Sequence, residues 1–335
     1  MPLPAQRLAR AADTAMDRLV VPGYTRIGHA VRRRLPHWPA DPAPDALAGR
    51  HVVVTGATSG LGEATARGAS GLGAHVHLVV RDTDKGERVA AALPVPGRAT
   101  VWHCDVADLD SVRVFANGLL AQVPRLDGLV HNAGALPPAH TVSPQGHELT
   151  MALHVLGPVA MTDALLSVLS PDAPVIFVTS GGMYAQRLRA DDPDYHQRPY
   201  SGTTAYARSK RAQVELLPLL QRRWAGDGGR GPSVHAAHPG WADSPGLTSS
   251  LPRFARATAP ILRTPEAGAD TVVWLLARPG QAGGQLWHDR RPRPTHLVSR
   301  TRGQRADAAR LWRWVVGATG LAAPHPEAPQ PEAGS

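Results

Sequence analysis

Hydrophobic and polar positions alternate regularly along most of the chain. Short apolar or β-branched runs, each closed by glycine or a polar residue, predict buried strands; these runs are HVVVTG, HVHLVV, TVWHCDV, DGLVHNAG, PVIFVTS, SVHAAHPG and GQLWHD. Helix-like stretches separate most of the runs, the first of them at residues 61–70. Because strands alternate with helices in this way, we predict an α/β fold: a doubly wound parallel sheet with helices on both faces.

The two ends of the chain depart from this pattern and divide it into three predicted parts. Residues 1–48 predict an N-terminal helical extension, helical in pieces over 1–35, and a proline-rich linker or extended strap over 36–48. Residues 49–300 form the predicted α/β domain, and residues 301–335 form a C-terminal helix with a disordered tail. We interpret residues 1–35 as helices packed on the domain; the alternative is a basic amphipathic surface that contacts a membrane or a partner.

The composition narrows the class of protein. Its 335 residues are 43% apolar, which is enough for one large domain or two small ones. The single cysteine, Cys104, excludes an intrachain disulfide and fits a reducing, cytoplasmic location. We expect no membrane-spanning segment, because no uninterrupted run of about 18 apolar residues occurs. The net charge is +9, but aromatic residues are only 5% and no zinc-finger spacing occurs, so neither nucleic-acid binding nor a metal site is predicted.

A glycine-rich loop follows the first predicted strand. Gly56 permits a tight turn, Gly60 lets the backbone approach a pyrophosphate, and Gly62 allows the next helix to pack closely on the sheet. The anion would face the positive end of that helix. The sequence therefore predicts a dinucleotide site, the alternative being a purely structural turn. The other predicted members of the loop are Thr55, Thr58, Ser59 and Leu61.

The end of the second strand indicates which dinucleotide binds. Arg81 follows the strand directly, where an arginine suits the 2′-phosphate of NADP(H) and an acidic residue would suit the ribose hydroxyl of NAD(H). We predict NADP(H) over NAD(H), although Asp82 follows immediately. The alternative is an exposed loop arginine paired with Asp82 or Asp84.

Later strand ends add further candidates for the cofactor site. Asp105 could accept a hydrogen bond from the adenine amino group, or could simply cap a helix. Asn132 could brace the central sheet, and the turn after His238 could meet the nicotinamide amide with its backbone. The predicted members of these groups are Asp105, Val106, Asn132, Ala133, Gly134, Pro239, Gly240, Trp241 and Ser244.

Tyr206 and Lys210 are the candidate catalytic pair. Positions four residues apart share one face of a helix, so the phenol and the ammonium would lie side by side. The positive charge would lower the pKa of the tyrosine, which could then exchange a proton with a carbonyl or alcohol oxygen. Lys210 could also hold the nicotinamide ribose hydroxyls. Ser180, at the end of a strand, could polarise the same substrate oxygen, with the adjacent Thr179 as the competing hydroxyl.

In order along the chain, the segments TGATSGLG, HNAG, Ser180, YARSK and HPGW resemble the short-chain dehydrogenase/reductase (SDR) family. The segments VIFVTSGGM, HPGWADSPG, GADTVVWL and GGQLWHDRRPRPTHL resemble more narrowly the dehydrogenase/reductase SDR family member 12 group, over roughly residues 18–298. The resemblance implies a Rossmann-like domain and an NADP-dependent oxidoreductase that interconverts a carbonyl and an alcohol. In this reading Tyr206 is the general acid/base, Ser180 and Lys210 assist it, and homo-oligomers form through helices after the fourth and fifth strands.

His154 is a departure from the family pattern. It stands where the resemblance implies an asparagine that holds a water for a proton relay to the lysine. We weigh two hypotheses: His154 replaces the asparagine in the relay, or it fills space in a slow or inactive enzyme. The second possibility leaves open a different function, a catalytically weak dinucleotide-binding scaffold or sensor.

The substrate class follows only loosely from the sequence. We expect the substrate pocket between His140, the loop 181–203 and the segment 241–262. The last segment is rich in apolar residues, which favours an apolar carbonyl or alcohol substrate.

Overall fold

The computed structural model describes residues 4–95, 97–225, 230–243, 256 and 258–322. Their strands form one eight-stranded sheet in the order β3-β2-β1-β4-β5-β6-β7-β8, parallel except for β8, which runs antiparallel to β7. The strands are β1 (His51–Thr55), β2 (His75–Val80), β3 (Ala99–His103), β4 (Gly128–His131), β5 (Pro174–Val178), β6 (Ser233–Ala237), β7 (Gln285–His288) and β8 (Arg291–Arg293). The doubly wound α/β fold predicted from the sequence is confirmed.

Helices connect the strands and flank them at both ends of the chain. The described helices are α1 (Pro4–Arg18), α2 (Val20–Tyr24), α3 (Arg26–Arg33), α4 (Gly60–Gly71), α5 (Thr83–Ala91), α6 (Leu109–Leu120), α7 (Leu149–Met151), α8 (Gly157–Leu165), α9 (Gly202–Ala225), α10 (Pro265–Leu276) and α11 (Arg305–Thr319). A π-helical turn, Ala152–Leu156, joins α7 to α8. No helix in the described ranges is both long enough and apolar enough to span a membrane.

The sheet is buried on both faces, because successive side chains of a strand point to opposite sides. Val53 of β1 joins a core formed with α6, α8 and α9. Its neighbours Val52 and Val54 join a second core formed with α4 and α10. Both layers are built from aliphatic side chains that are almost fully excluded from solvent. Helices thus cover both faces of the sheet, and a ligand can bind at the carboxyl ends of the parallel strands.

The C-terminal helix α11 packs against α9 and against the π-helical turn. It buries Leu311 and Val315 in the same core as α9, and the guanidinium of Arg223 lies 5.7 Å from the ring centre of Trp312. The family resemblance implied that subunits pair through helices of this region. In this chain, part of the α9 surface is already covered by the chain's own C-terminal helix.

The N-terminal helices pack on the domain beside the last strands. Arg32 of α3 is 2% exposed and donates hydrogen bonds to Asp13, Asp17 and Asp289. The strap that follows is held by the indole of Trp274, which donates to the carbonyl oxygen of residue 40 at 3.1 Å. The buried face of these helices therefore packs on the domain, which is the first of the two interpretations of residues 1–35.

Candidate active site

A cleft of about 960 Å³ opens at the carboxyl ends of the parallel strands, where the strand order reverses between β1 and β4. Most of the predicted site residues line it: Gly56, Thr58, Ser59, Gly60, Leu61, Arg81, Asp105, Val106, Asn132, Ala133, Gly134, Ser180, Tyr206, Lys210, Pro239, Gly240 and Trp241. Thr55, Gly62 and His154 lie behind its wall, and Ser244 lies outside the described residues. The structure therefore brings the two separate sequence motifs together in one cavity.

The glycine loop is shaped by contacts that exclude side chains. Gly56 has φ +65°, and a Cβ there would lie 2.8 Å from the Cα of Ala133. A Cβ on Gly62 would lie 2.1 Å from the carbonyl oxygen of Gly56. Helix α4 begins at Gly60, so its free N–H groups open towards the cleft. This cradle fits the pyrophosphate of a dinucleotide.

Asn132 and Thr55 tie the loop to the central sheet. The Asn132 amide donates to the carbonyl oxygens of Thr55 and Gly56 at 3.1 and 3.2 Å. The Thr55 hydroxyl oxygen accepts from the backbone N–H groups of Asn132 and Ala133, both at 3.0 Å. Asn132 thus has the bracing geometry expected from its position after β4. Thr55 acts from below the loop, with 1% of its surface exposed.

At the end of the cleft next to β2, called its far end, Arg81 is exposed and lines the wall together with Lys85. Asp82 accepts from the backbone N–H of Lys85 at 3.0 Å and pairs with its ammonium at 3.1 Å. These interactions, the backbone hydrogen bond first, lower the pKa of Asp82. Lys85 was missed by the sequence reasoning, although it lies one helical turn from Asp82. Asp105 accepts from the N–H of Ala107 at 2.9 Å, so it caps its turn while facing the cleft.

Ser180, which follows β5, and Tyr206 of α9 both line the opposite end of the cleft, called its near end. Burial raises the pKa of Tyr206, and the proximity of the Ser180 hydroxyl acts in the opposite direction with a smaller effect. Thr179 points away from the cleft interior, because its hydroxyl donates to the carbonyl oxygen of Lys210 at 3.1 Å. The alternative between the two hydroxyls left open by the sequence is therefore resolved geometrically towards Ser180.

Lys210 adopts a different role towards Tyr206 than the sequence predicted. Its ammonium donates to the carbonyl oxygen of Val178 at 2.8 Å and lies 5.6 Å from the centre of the Tyr206 ring. Burial lowers the pKa of Lys210 to about 7. The expected lowering of the Tyr206 pKa is not found, because burial dominates and the ammonium is directed at a backbone carbonyl.

His154 lies next to Tyr206, fully buried in the π-helical turn. Its Nε2 accepts from the N–H of Ala135 at 3.2 Å, so the proton must be on Nδ1, which donates to the Ser209 hydroxyl at 2.7 Å. That hydroxyl donates in turn to the carbonyl oxygen of Tyr206 at 2.8 Å. Burial, with a contribution from the charge of Lys210, lowers the pKa of His154 well below its usual range.

Of the two hypotheses for His154, its contacts favour a structural role over the proton relay. Both ring nitrogens already bond to protein groups, and the side chain does not reach the cleft. The ring instead meets that of Tyr206 edge-on at 5.4 Å between centres. His154 is therefore a neutral brace between the loop after β4 and the backbone of α9.

Tyr24, from the N-terminal extension, is a cleft residue that the sequence reasoning missed. Its ring stacks on His238 with 4.7 Å between centres, and its carbonyl oxygen accepts from the N–H of Trp241 at 2.7 Å. Tyr184 lies beside it, 6.2 Å between ring centres. A contact between positions more than 200 residues apart in the chain leaves no local signal in the sequence.

A buried ion cluster fixes the extension in this place. Asp289 accepts from Arg263 at 2.6 Å, from Arg32 at 2.9 Å and from His29 at 3.2 Å. Burial acts to raise the pKa of Asp289, but the charges of His288 and Arg263, with hydrogen bonds from His29 and Arg263, hold it well below its usual range. Arg263 also donates to the carbonyl oxygen of Tyr24 at 3.1 Å, which links the cluster to the cleft.

The fold and the cleft together define an α/β protein built to bind a dinucleotide next to a tyrosine hydroxyl. A family model described as short chain dehydrogenase matches residues 50–253 of the 335. The chain belongs to this family and is an NAD(P)-dependent oxidoreductase. The enzyme class predicted from the sequence is thereby confirmed.

Individual relatives agree with this assignment. The chain is 37% identical over 274 residues to dehydrogenase/reductase SDR family member 12 of Bos taurus, covering 78% of this chain and 84% of the relative. It is 32% identical over 275 residues to retinol dehydrogenase 12 of Homo sapiens, covering 79% and 85%. A crystal structure described as an NAD(P) dependent gluconate 5-dehydrogenase from Beutenbergia cavernae, with bound NADP, is 28% identical with a TM-score of 0.57, covering 74% of this chain and 97% of that one.

Proposed function

We propose that this protein is an NADP-dependent oxidoreductase that interconverts a carbonyl and an alcohol, with Tyr206 as general acid/base. The observation that carries the proposal is the convergence of Ser180, Tyr206 and Lys210 on the same cleft as the glycine loop. A scaffold without chemistry would have no need for a tyrosine and a serine hydroxyl that line the same cleft beside a dinucleotide cradle.

Each side chain has a defined task in this proposal. A bound nicotinamide nucleotide would supply hydride transfer. The hydroxyls of Ser180 and Tyr206 hydrogen-bond the substrate oxygen, and Tyr206 gives its proton to that oxygen during reduction or takes it during oxidation. Lys210, with a pKa lowered to about 7, orients this end of the cleft through its bond to the Val178 carbonyl. His154 holds the Tyr206 backbone in place through Ser209.

Substitution of Tyr206 by phenylalanine tests this assignment. Tyr206→Phe keeps the ring that packs against His154 but removes the proton that is transferred. We expect turnover of ketones and aldehydes with NADPH to fall by about 10²–10⁴-fold, while NADPH binding, followed by fluorescence, changes little. Tyr200→Phe is the matched control, since that tyrosine does not line the cleft and its hydroxyl donates to Glu148. Equal turnover in Tyr206→Phe and the parent would contradict the role of Tyr206, and tight NADPH binding without turnover of the parent on a broad panel would favour the scaffold.

The preference for NADP over NAD rests on charge at the end of β2. Arg81 and Lys85 both line the cleft, and Asp82, the carboxylate next to Arg81 in the chain, is already engaged by Lys85. The NADP bound to the structural relative supports the same choice. We expect Arg81→Gln to weaken NADPH binding about tenfold and NADH binding hardly at all. Arg113→Gln, on the exposed surface of α6, is the control.

An apolar substrate is the proposed class. Leu136, Leu153, Tyr24 and Tyr184 give the near end of the cleft apolar and aromatic walls. Most of the segment 241–262 lies outside the described residues, and His140 does not line the cleft but bonds the carbonyl oxygen of residue 194. The retinol dehydrogenase relative supports a retinoid-like or similar ketone, aldehyde or alcohol. A homologous series of aliphatic ketones should show KM falling as the chain lengthens.

We also propose peripheral membrane contact through the exposed face of the N-terminal helices. Leu19, Ile27 and Val31 are 58%, 54% and 43% exposed, and arginines of the same helices are exposed beside them. Apolar side chains among cations suit an anionic lipid surface. The protein should co-sediment with phosphatidylserine vesicles, and a triple substitution of the three apolar residues by serine should abolish this. Equal sedimentation of the two proteins would refute the contact.

A further inference from the structure

A second cavity, of about 640 Å³, lies behind the catalytic helix. Thr204 and Arg208 of α9 line it, each two positions from Tyr206 and therefore about 200° around the helix from the tyrosine. The loop after β5 and residues 300–301 form its other walls. The cavity is thus separated from the cleft by α9 itself, and its residues have no part in the proposed proton transfer.

The wall of this cavity is strongly cationic. Five arginines line it: Arg187, Arg189, Arg198, Arg208 and Arg300. No acidic side chain occurs among the described residues of its lining. Two acidic side chains lie just outside it, with Asp191 at 3.3 Å from Arg189 and Asp192 at 3.5 Å from Arg208. Several positive charges around one cavity repel one another, and an anion bound among them would relieve that repulsion.

Two of the guanidinium groups are buried without sufficient acceptors. The side chains of Arg189 and Arg208 are only 13% and 10% exposed. The Nε atoms of Arg189 and Arg208 have no hydrogen-bond acceptor in the described part of the chain. The Nη1 of Arg208 lies 3.5 Å from Asp192, an ion-pair distance without a hydrogen bond. Burial lowers the pKa of Arg208, and the charges of Arg189 and Arg198 act in the same direction. Buried charged donors without acceptors are costly, so their retention indicates a ligand that supplies them.

The cavity is preformed by a strained loop. Tyr195 has φ +58°, a conformation rare for a residue with a large side chain, and its ring lies 4.0 Å from the Arg208 guanidinium. Asp192 holds the loop closed by accepting from the N–H of His196 at 2.7 Å. The stacked tyrosine fixes the plane of the guanidinium and leaves its edge free for hydrogen bonds.

We propose that this cavity is a binding site for an anion of the phosphate class, separate from the catalytic cleft. The Nε donors of Arg189 and Arg208, with the weakly paired Nη1 of Arg208, favour an acceptor with several oxygens, which a phosphate offers and a single carboxylate offers less well. Arg187, Arg198 and Arg300 at the rim add charge without being buried. Thr204 lies in the first turn of α9, so the positive end of that helix adds to the attraction.

Calorimetric titration with inorganic phosphate and with pyrophosphate, at constant ionic strength, tests the site directly. We expect saturable binding to the full chain and a rise in the thermal unfolding midpoint. Arg208→Gln should weaken the binding at least tenfold, and Arg198→Gln, at the exposed rim, several-fold. Arg113→Gln, far along the chain on α6, should leave it unchanged.

Arg81→Gln distinguishes this site from the dinucleotide cleft, and so keeps the proposal separate from the proposed function. If Arg81→Gln abolishes phosphate binding and Arg208→Gln does not, the anion binds in the cleft and the proposal is overturned. Absence of saturable binding to the parent overturns it as well. Should Arg208→Gln fail to fold, Arg198→Gln and Arg300→Gln decide, since two exposed substitutions without effect on affinity contradict the site.

Discussion

Substitution of Asp289 by asparagine tests whether the N-terminal extension is locked onto the domain by buried charge. The carboxylate is 1% exposed and accepts from two buried arginines, Arg32 at 2.9 Å and Arg263 at 2.6 Å. Asparagine has nearly the same shape but no charge and one acceptor oxygen fewer. The substitution therefore leaves two buried cations short of a counter-charge while changing the packing very little.

The magnitude follows from the partners that remain. Loss of one member of a buried ion pair costs about 3–5 kcal/mol of unfolding free energy. Arg32 keeps Asp13 and Asp17 as partners, at 2.8 and 2.7 Å, so we expect the lower end, about 3 kcal/mol. With a shift of about 2–4 °C per kcal/mol, the thermal unfolding midpoint should fall by roughly 6–12 °C.

Thermal unfolding followed by circular dichroism measures this shift against a surface control. Asp110→Asn removes a carboxylate whose side chain is 75% exposed and whose partner, Arg113, is 57% exposed. Such a pair contributes about 0.2–1 kcal/mol, so the control should move the midpoint by at most a few degrees. Equal shifts in Asp289→Asn and Asp110→Asn would refute the reasoning that buried charge holds the extension.

Four further outcomes are expected from the same structure. The pKa of Asp289 is lowered in the folded protein, so its contribution to stability is complete above the unfolded-state pKa of about 4 and is lost as the pH falls towards the folded-state pKa. In denaturant titrations, the difference in unfolding free energy between the parent and Asp289→Asn should therefore shrink below about pH 4. Gly62→Ala should weaken NADPH binding more than tenfold, because the new Cβ would lie 2.1 Å from the carbonyl oxygen of Gly56. In the control Gly71→Ala the new Cβ would lie 3.9 Å from its nearest neighbour, so this variant should bind NADPH normally and gain a few tenths of a kcal/mol of unfolding free energy. His154→Asn should lose about 1–3 kcal/mol of stability yet keep the shape of the pH–rate profile, and a changed profile would restore the relay hypothesis. Burial raises the pKa of Cys104 to about 12, so iodoacetamide should alkylate it at about pH 8 only after denaturation, as mass spectrometry can show.

The sheet was predictable because parallel strands are buried on both faces and read as continuous apolar runs. All of the strands from β1 to β7 carry such a run. Strand β8 was missed because Arg291–Arg293 contains arginine and proline at the sheet edge and has no apolar pattern. The glycine loop and the Tyr206–Lys210 pair were predictable because their geometry is local, set by a turn or by one helical repeat.

The rest of the site depends on contacts between distant segments. The partners of His154 come from two other elements, and only their positions reveal that both of its nitrogens are occupied. Tyr24 reaches the cleft because Asp289 anchors its segment, and neither residue has a motif of its own. The direction of the Lys210 ammonium likewise depends on the Val178 carbonyl, and a contact to a backbone carbonyl cannot be predicted from the pattern of side chains.

The buried contact between Arg32 and Asp289 spans 257 positions of the chain, and this separation has a consequence for biosynthesis. A ribosome that adds about 5–20 residues per second needs roughly 13–50 s to deliver the aspartate after the arginine. During that interval the N-terminal helices lack the buried ion pair with Asp289. Tyr24, which these helices place in the cleft wall, cannot yet take up its position. A nascent chain of this protein should therefore complete the wall of its cleft only after Asp289 has emerged.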